Sequence, residues 1–428
     1  MPDTITLEQS WEAWAGWVAG AWAVVMLATE LKVSIPYIHW VVSALALIAT
    51  WPYLRHIRPG VRFPAQVPAR LFVFAICVPV LYGAKAIYSV AEACKLAVIL
   101  LGAIFIFVAR TYLAHCAFRG FIISVCMNLL LLLGGCWGLG TAEEMAPNRW
   151  GTFISWPGSL WRVAGSVWVY AAYSLVKRRS PISLVLLAMS TFLVYMDGSR
   201  TALLLVIVGA LYVVLVLAAE AGQLLHAVMV GAMGLGLILL GIAYSGVLSG
   251  DASAEERGAV GRAGWLVNSV QASGVEGFAT ADVIRYQMLQ DVVGAIRAHP
   301  VLGTGIETTV TETIVGPMGT HMTYLQVWAD MGLLGLAAYI WLVWGWIPWV
   351  PRVLRRVQAL TDPAHRAIYY NAIYVLFFFA VAGFFHPLST EWSEWVIFIV
   401  AYALVWEVAQ PREGATTTTD ANMDLTTS

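Results

Sequence analysis

From Thr201 to Ala219 the chain runs through nineteen residues, TALLLVIVGALYVVLVLAA, without one charged side chain. A helix of about 20 such residues crosses the roughly 30 Å hydrocarbon layer of a bilayer, where only helices and closed barrels satisfy their own backbone N–H and C=O groups. Similar runs recur along most of the 428 residues. Sixty per cent of the chain is hydrophobic, 11% is charged and the mean hydropathy is +0.77, far too apolar for a water-soluble domain. The sequence therefore predicts an all-α polytopic membrane protein.

About twelve spans are expected, near 13–29, 36–54, 71–89, 93–110, 119–137, 158–176, 181–196, 201–219, 224–244, 323–349, 367–385 and 392–408. They divide the chain into nine spans over 1–244, a long connection over 245–322, three spans over 323–410 and a tail over 411–428. The tail, with its EGATTTTDANMDLTTS, is low-complexity and polar, so disorder is expected there. The first span follows ten residues lacking Lys and Arg and shows no small-residue cleavage site, which predicts a retained span.

Orientation follows from the basic residues. Arg55, Arg58, Arg62 and Arg70, then Arg110 and Arg119, then Lys177, Arg178 and Arg179, then Arg352, Arg355, Arg356 and Arg366 all fall on one side of this topology. The positive-inside rule makes that side cytoplasmic and puts both termini there. Many of the twenty tryptophans gather near span ends, as an interfacial belt does. The five cysteines, Cys77, Cys94, Cys116, Cys126 and Cys136, lack paired C-x-x-C spacing, which argues against a disulfide framework or a zinc site. A net charge of −1 with no clustered basic face argues against nucleic acid.

The long outer connection is where function is expected, since loops of that length rarely lack it. Within it, DVIRYQMLQDVVGAIRAH (282–299) carries Ile284, Met288, Val292 and Ile296, flanked by Leu289 and Val293, at helical spacing. That pattern predicts an amphipathic helix ended by Pro300 and the turn residues that follow.

Cations on the outer face need a reason. Arg200 follows a turn of only Asp197, Gly198 and Ser199, so it falls in the first turn of the eighth span with Ser199 as candidate N-cap. A helix N-terminus plus a guanidinium makes a phosphate site; a snorkelling arginine or a partner for Asp197 is the plainer alternative. Arg285 and Arg297 lie about 18 Å and about 120° apart on the predicted helix, too far to serve one small group together. Arg162, just inside the sixth span, and Lys85, near the outer end of the third, are further candidates. His321 precedes the tenth span, where the helix dipole disfavours imidazolium and leaves a ring able to accept a proton. Asp330 is about 13 Å along and half a turn round, which makes Glu307 or Glu312 the better candidate to orient that ring. His386, before Pro387, is the rival base.

The order of these features resembles the bacterial O-antigen ligase family, within the ligase/polymerase superfamily. The matching residues are S-R-T-A-L-L (Ser199 to Leu204), R-Y (Arg285, Tyr286), H-P-V-L-G-T-G (His299 to Gly305), H-M-T-Y-L-Q (His321 to Gln326) and A-D-M-G-L-L-G-L (Ala329 to Leu336), over roughly 185–345. The chain departs from the family at Met322, where Asn is common, at Asp330, where Glu is common, and around Arg285, which lacks a preceding Ser-Gly and a nearby Trp. The resemblance implies a GT-C-type glycosyltransferase bundle in the bacterial inner membrane with its active site facing the periplasm. It implies a donor linked to undecaprenyl diphosphate, a lipid A–core acceptor, arginines that hold the diphosphate and a histidine that activates the acceptor hydroxyl. No cofactor is expected.

The residues suit that chemistry. Displacing a lipid diphosphate from an anomeric carbon leaves negative charge that needs a divalent metal or fixed cations. No D-x-D or D-D pair lies on the outer face, so arginines rather than a metal are expected. In-line attack with His321 as general base would invert the anomeric carbon. An O-antigen polymerase or a protein O-oligosaccharyltransferase would use the same groups, and a polysaccharide or lipid transporter is the alternative of another class.

Overall fold

The computed structural model describes residues 7–31, 35, 37–54, 65–81, 86–109, 111–135, 150–155, 158–223, 225, 228–229, 259–306, 308–313, 316–386 and 392–410. Lys85, Glu307, most of the expected ninth span and the tail 411–428 lie outside them. Among the described residues, five helical segments, Ser89–Phe107, Thr111–Leu133, Arg200–Glu220, Thr323–Gln358 and Pro363–Ala382, are long and apolar enough to cross a bilayer, and Ile38–Pro52, Gln66–Leu81, Pro181–Asp197 and Trp395–Ala409 are shorter apolar helices. The described residues are all-α apart from one small hairpin and an isolated bridge between Thr152 and Ser155, and the protein is membrane-integral.

The helices are α1 (Leu7–Leu27), α2 (Ile38–Leu54), α3 (Gln66–Cys77), α4 (Ala86–Ala109), α5 (Thr111–Leu133), α6 (Leu160–Gly165), α7 (Trp168–Arg178), α8 (Pro181–Asp197), α9 (Arg200–Glu220), α10 (Ala259–Ala281), α11 (Val283–Ala298), α12 (Thr323–Trp344), α13 (Val350–Gln358), α14 (Pro363–Ala382) and α15 (Trp392–Ala409). Two strands, β1 (Val310–Thr313) and β2 (Gly316–Gly319), pair antiparallel with Val310 opposite Gly319.

Packing follows the rules of lipid. With no hydrophobic drive between helices, close approach depends on small residues. Where α1 meets α5, a Cβ on Gly120 would fall 2.4 Å from the Gly20 carbonyl oxygen, so the two backbones come this close because Gly120 has no side chain. α3 packs on α12, and α14 packs on α15 and α7. Polar side chains fill the breaks. The expected sixth span is not one helix but two, α6 and α7, separated at Ser166 and Val167. Asn371, on α14, mends this interruption: its Nδ2 donates to the Ser166 carbonyl at 2.7 Å and its Oδ1 accepts from Tyr170 N–H at 3.1 Å. A freed backbone group is tolerated at membrane depth only when re-satisfied in this way.

The expected tenth span, 323–349, is likewise interrupted. α12 has non-helical backbone at Gly332, φ 68° and ψ −169°, and a short 3₁₀ turn at Ile347–Trp349 leads into α13. The loop after α11 docks into the Gly332 break. Thr304 N–H donates to the Ala329 carbonyl at 2.9 Å, Gly305 N–H to the Asp330 carbonyl at 2.8 Å, and Leu333 N–H to the Val301 carbonyl at 3.1 Å. Glycine is needed on both sides of the contact. A Cβ on Gly332 would lie 2.0 Å from the Val301 carbonyl oxygen, and one on Gly303 would lie 2.4 Å from that of Asp330. The H-P-V-L-G-T-G and A-D-M-G-L-L-G segments are therefore two halves of one joint.

The long connection holds the predicted amphipathic helix, α11, but also α10 and the hairpin, which its spacing did not announce. Met288 and Val292 are the buried face of α11, whereas Ile284 is exposed, so the buried stripe is narrower than the sequence pattern.

Candidate active site

Arg200 opens α9, where Ser199 accepts a hydrogen bond from Ala202 N–H at 3.1 Å. The cap fixes the helix start and leaves its first N–H groups and positive pole beside the guanidinium. Arg200 Nη2 donates to Asp282 Oδ2 at 2.7 Å, and Arg285 Nε lies 3.6 Å from the same oxygen. Asp282 is also the N-cap of α11, its Oδ1 accepting from Arg285 N–H at 3.4 Å. Two guanidinium groups from distant segments thus meet on one carboxylate. Asp197 is fully buried and accepts from the backbone N–H of Trp161 at 3.1 Å and of Ser199 at 3.2 Å, which shapes the α8–α9 turn.

Arg285 also lines a pocket of about 150 Å³ together with Phe278, Met288, Leu289, Thr320, His321, Met322 and Phe385. His321 stands just before α12, whose N-cap, Met322, makes no side-chain cap. The ring of His386 lies 6.3 Å from that of His321, at 68° to it, and its Nε2 is 3.4 Å from Arg162 Nη2. Arg162, only 7% exposed on α6, stacks over Trp161, which also packs on His386. Thr323 Oγ1 donates to the His386 carbonyl and anchors α12 to the end of α14.

Arg285 and His321 are therefore brought to one pocket, Arg200 is tied to its arginine, and Arg162 and His386 form a second tier beside the histidine. Arg297 is exposed in the last turn of α11 and is not among the pocket residues. Glu312 is exposed on the hairpin opposite Pro317, while the ring beside His321 is that of His386. Asp330 is buried and its Oδ1 accepts from Thr309 N–H at 3.3 Å, so this carboxylate holds the loop.

Two residues escape a reading by spacing. Asp282 is one, since its partner Arg200 lies 82 positions away; the D-x-x-R pattern of an N-cap signals its helix, not that ion pair. Thr320 is the other, 1% exposed in the pocket wall with no hydrogen-bond partner for its Oγ1. Among the described residues, no three His, Cys, Asp or Glu side chains cluster closely enough to hold a metal ion.

A helical bundle built for lipid thus carries two guanidinium groups and an imidazole at one end. Residues 184–340 match the family model described as O-antigen ligase. The matched stretch contains Arg200, Asp282, Arg285 and His321 and excludes Arg162 and His386. No match to a curated protein was found.

Proposed function

We propose that this protein is an O-antigen ligase that moves a polysaccharide from undecaprenyl diphosphate to a sugar hydroxyl of lipid A–core. The observation that carries this is the shared pocket of Arg285 and His321, with Arg200 joined to Arg285 through Asp282. Arg200 and Arg285 hold diphosphate oxygens by charge-assisted hydrogen bonds, and His321 takes the proton of the acceptor hydroxyl. That oxygen forms its bond to the anomeric carbon from the face opposite the leaving group. The bond from the anomeric carbon to the diphosphate oxygen breaks, its electron pair stays on the lipid diphosphate, and the configuration inverts. Fixed guanidinium groups stabilise the departing charge without reorganisation.

In this reading the bundle is of GT-C type with about twelve spans, both termini are cytoplasmic, and the Arg200 end faces the periplasm across the bacterial inner membrane. The opposite end of α9 supports the polarity. After 21 residues, about 30 Å of helix, Glu220 accepts from Lys177 at 2.6 Å and faces Arg366, both from basic connections.

The test is reconstitution of the purified full chain with lipid-linked polysaccharide and EDTA, offering lipid A–core, a second lipid-linked repeat and an acceptor protein in parallel. Product on lipid A–core is the expected result. Product only on the second repeat would make the protein a polymerase, product only on protein an oligosaccharyltransferase, and labelled counterflow without bond formation a transporter. Strict dependence on a divalent metal would overturn the mechanism.

A further inference from the structure

We infer that Asp282 is a positioning residue that sets the spacing and aim of the two diphosphate-binding arginines; this rests on the reading of Arg200 and Arg285 given above. Arg200 reaches the site from α9 and Arg285 from α11, and two like charges on separate elements repel unless something between them offsets it. Asp282 Oδ2 supplies that offset, 2.7 Å from Arg200 Nη2 and 3.6 Å from Arg285 Nε. The carboxylate cannot drift, because its other oxygen caps α11. Its side chain is 14% exposed, so the pairing is shielded from most of the solvent that weakens surface ion pairs.

The geometry also says which edges are used. Asp282 takes Arg285 by Nε, so the forked Nη edge, the one that matches a phosphate bidentately, is not the edge that the carboxylate occupies. The carboxylate itself does not touch the reacting atoms.

Asp282→Asn separates the charge from the cap, since asparagine caps a helix as well as aspartate does. With the full chain in detergent, binding of unglycosylated undecaprenyl diphosphate is measured beside donor and acceptor kinetics. Asp282→Asn should weaken diphosphate binding and raise the donor KM about tenfold, leave the acceptor KM within about twofold and keep the thermal midpoint, and Asp282→Glu should recover part of the loss. Unchanged donor binding in Asp282→Asn would overturn the inference. So would tighter binding, which would make Asp282 a competitor of the diphosphate, or a fall in both affinities together with lost thermal stability, which would make it structural. Arg200→Gln and Arg285→Gln tell the two readings apart. If they lose diphosphate binding while Asp282→Asn keeps it, only the role of Asp282 fails; if they keep it, the arginine reading fails and this inference with it.

Discussion

His386 presents its Nε2 to Arg162 Nη2 at 3.4 Å. A guanidinium has donors only, so this contact requires a lone pair on Nε2 and puts the imidazole proton of His386 on Nδ1. The acceptor nitrogen of His386 is therefore already engaged, whereas His321 is the histidine in the pocket wall. His386→Phe, which keeps a ring against Trp161, should lower turnover by about tenfold or less. His321→Phe should lower it by about 10²–10⁴, the usual worth of a general base. Initial rates of polysaccharide transfer at matched membrane yield check the pair, and equal losses would reverse the assignment.

Gly332→Ala should damage both stability and activity. The left-handed backbone alone costs a side-chain-bearing residue about 1–3 kcal/mol, and the new methyl would meet the Val301 carbonyl at a distance no atom pair accepts. The loop at Val301–Gly305 must then undock. A thermal midpoint several degrees lower, with transfer reduced about tenfold or more, is the expected outcome.

Asn371→Leu keeps the branched shape of a buried side chain and removes both mends of the α6–α7 break. Each backbone group left unpaired costs about 1–3 kcal/mol, so unfolding in mixed micelles should shift by at least that much. Because Arg162 sits on the short helix above the break, activity should fall more steeply than stability.

Glu30, in the turn after α1, is 6% exposed with no partner for its Oε2, and burial pushes its carboxyl above the usual range. A raised carboxyl means that the folded chain binds the proton more tightly than the unfolded one. The stability it contributes is thus fully present below the ordinary carboxylate pKa and is lost as pH rises through the folded value. Glu30→Gln should therefore raise the thermal midpoint at neutral pH and lose that advantage on acidification, which a melting series across pH reads directly.

Much of this was legible beforehand, and the reasons differ by element. α11 announced itself through apolar residues at helical spacing, and α9 through a short turn ending in Ser199. Ser199 and Asp282 do what their residue types do best, accepting from the first free N–H groups of a helix. The break at Gly332 was hidden because, Asp330 apart, its neighbours are as apolar as any membrane helix, and the backbone that docks against it forbids the regular form. The division of the sixth expected span at Ser166 was hidden likewise, since the mending side chain, Asn371, is 205 positions away. Asp282 escaped for the same reason: local pattern predicts caps, while the pairing of Arg200 with Arg285 is a product of tertiary folding.

A continuous helix behaves as a stiff rod, and a bilayer that thickens or thins tilts it as a unit. The interruption at Gly332 makes α12 two rods that meet at a joint braced by the loop, with the upper piece also held to the end of α14. Tilt imposed on the lower piece need not reach the histidine at the top, so the aim of His321 should hold steady in membranes of differing acyl-chain length.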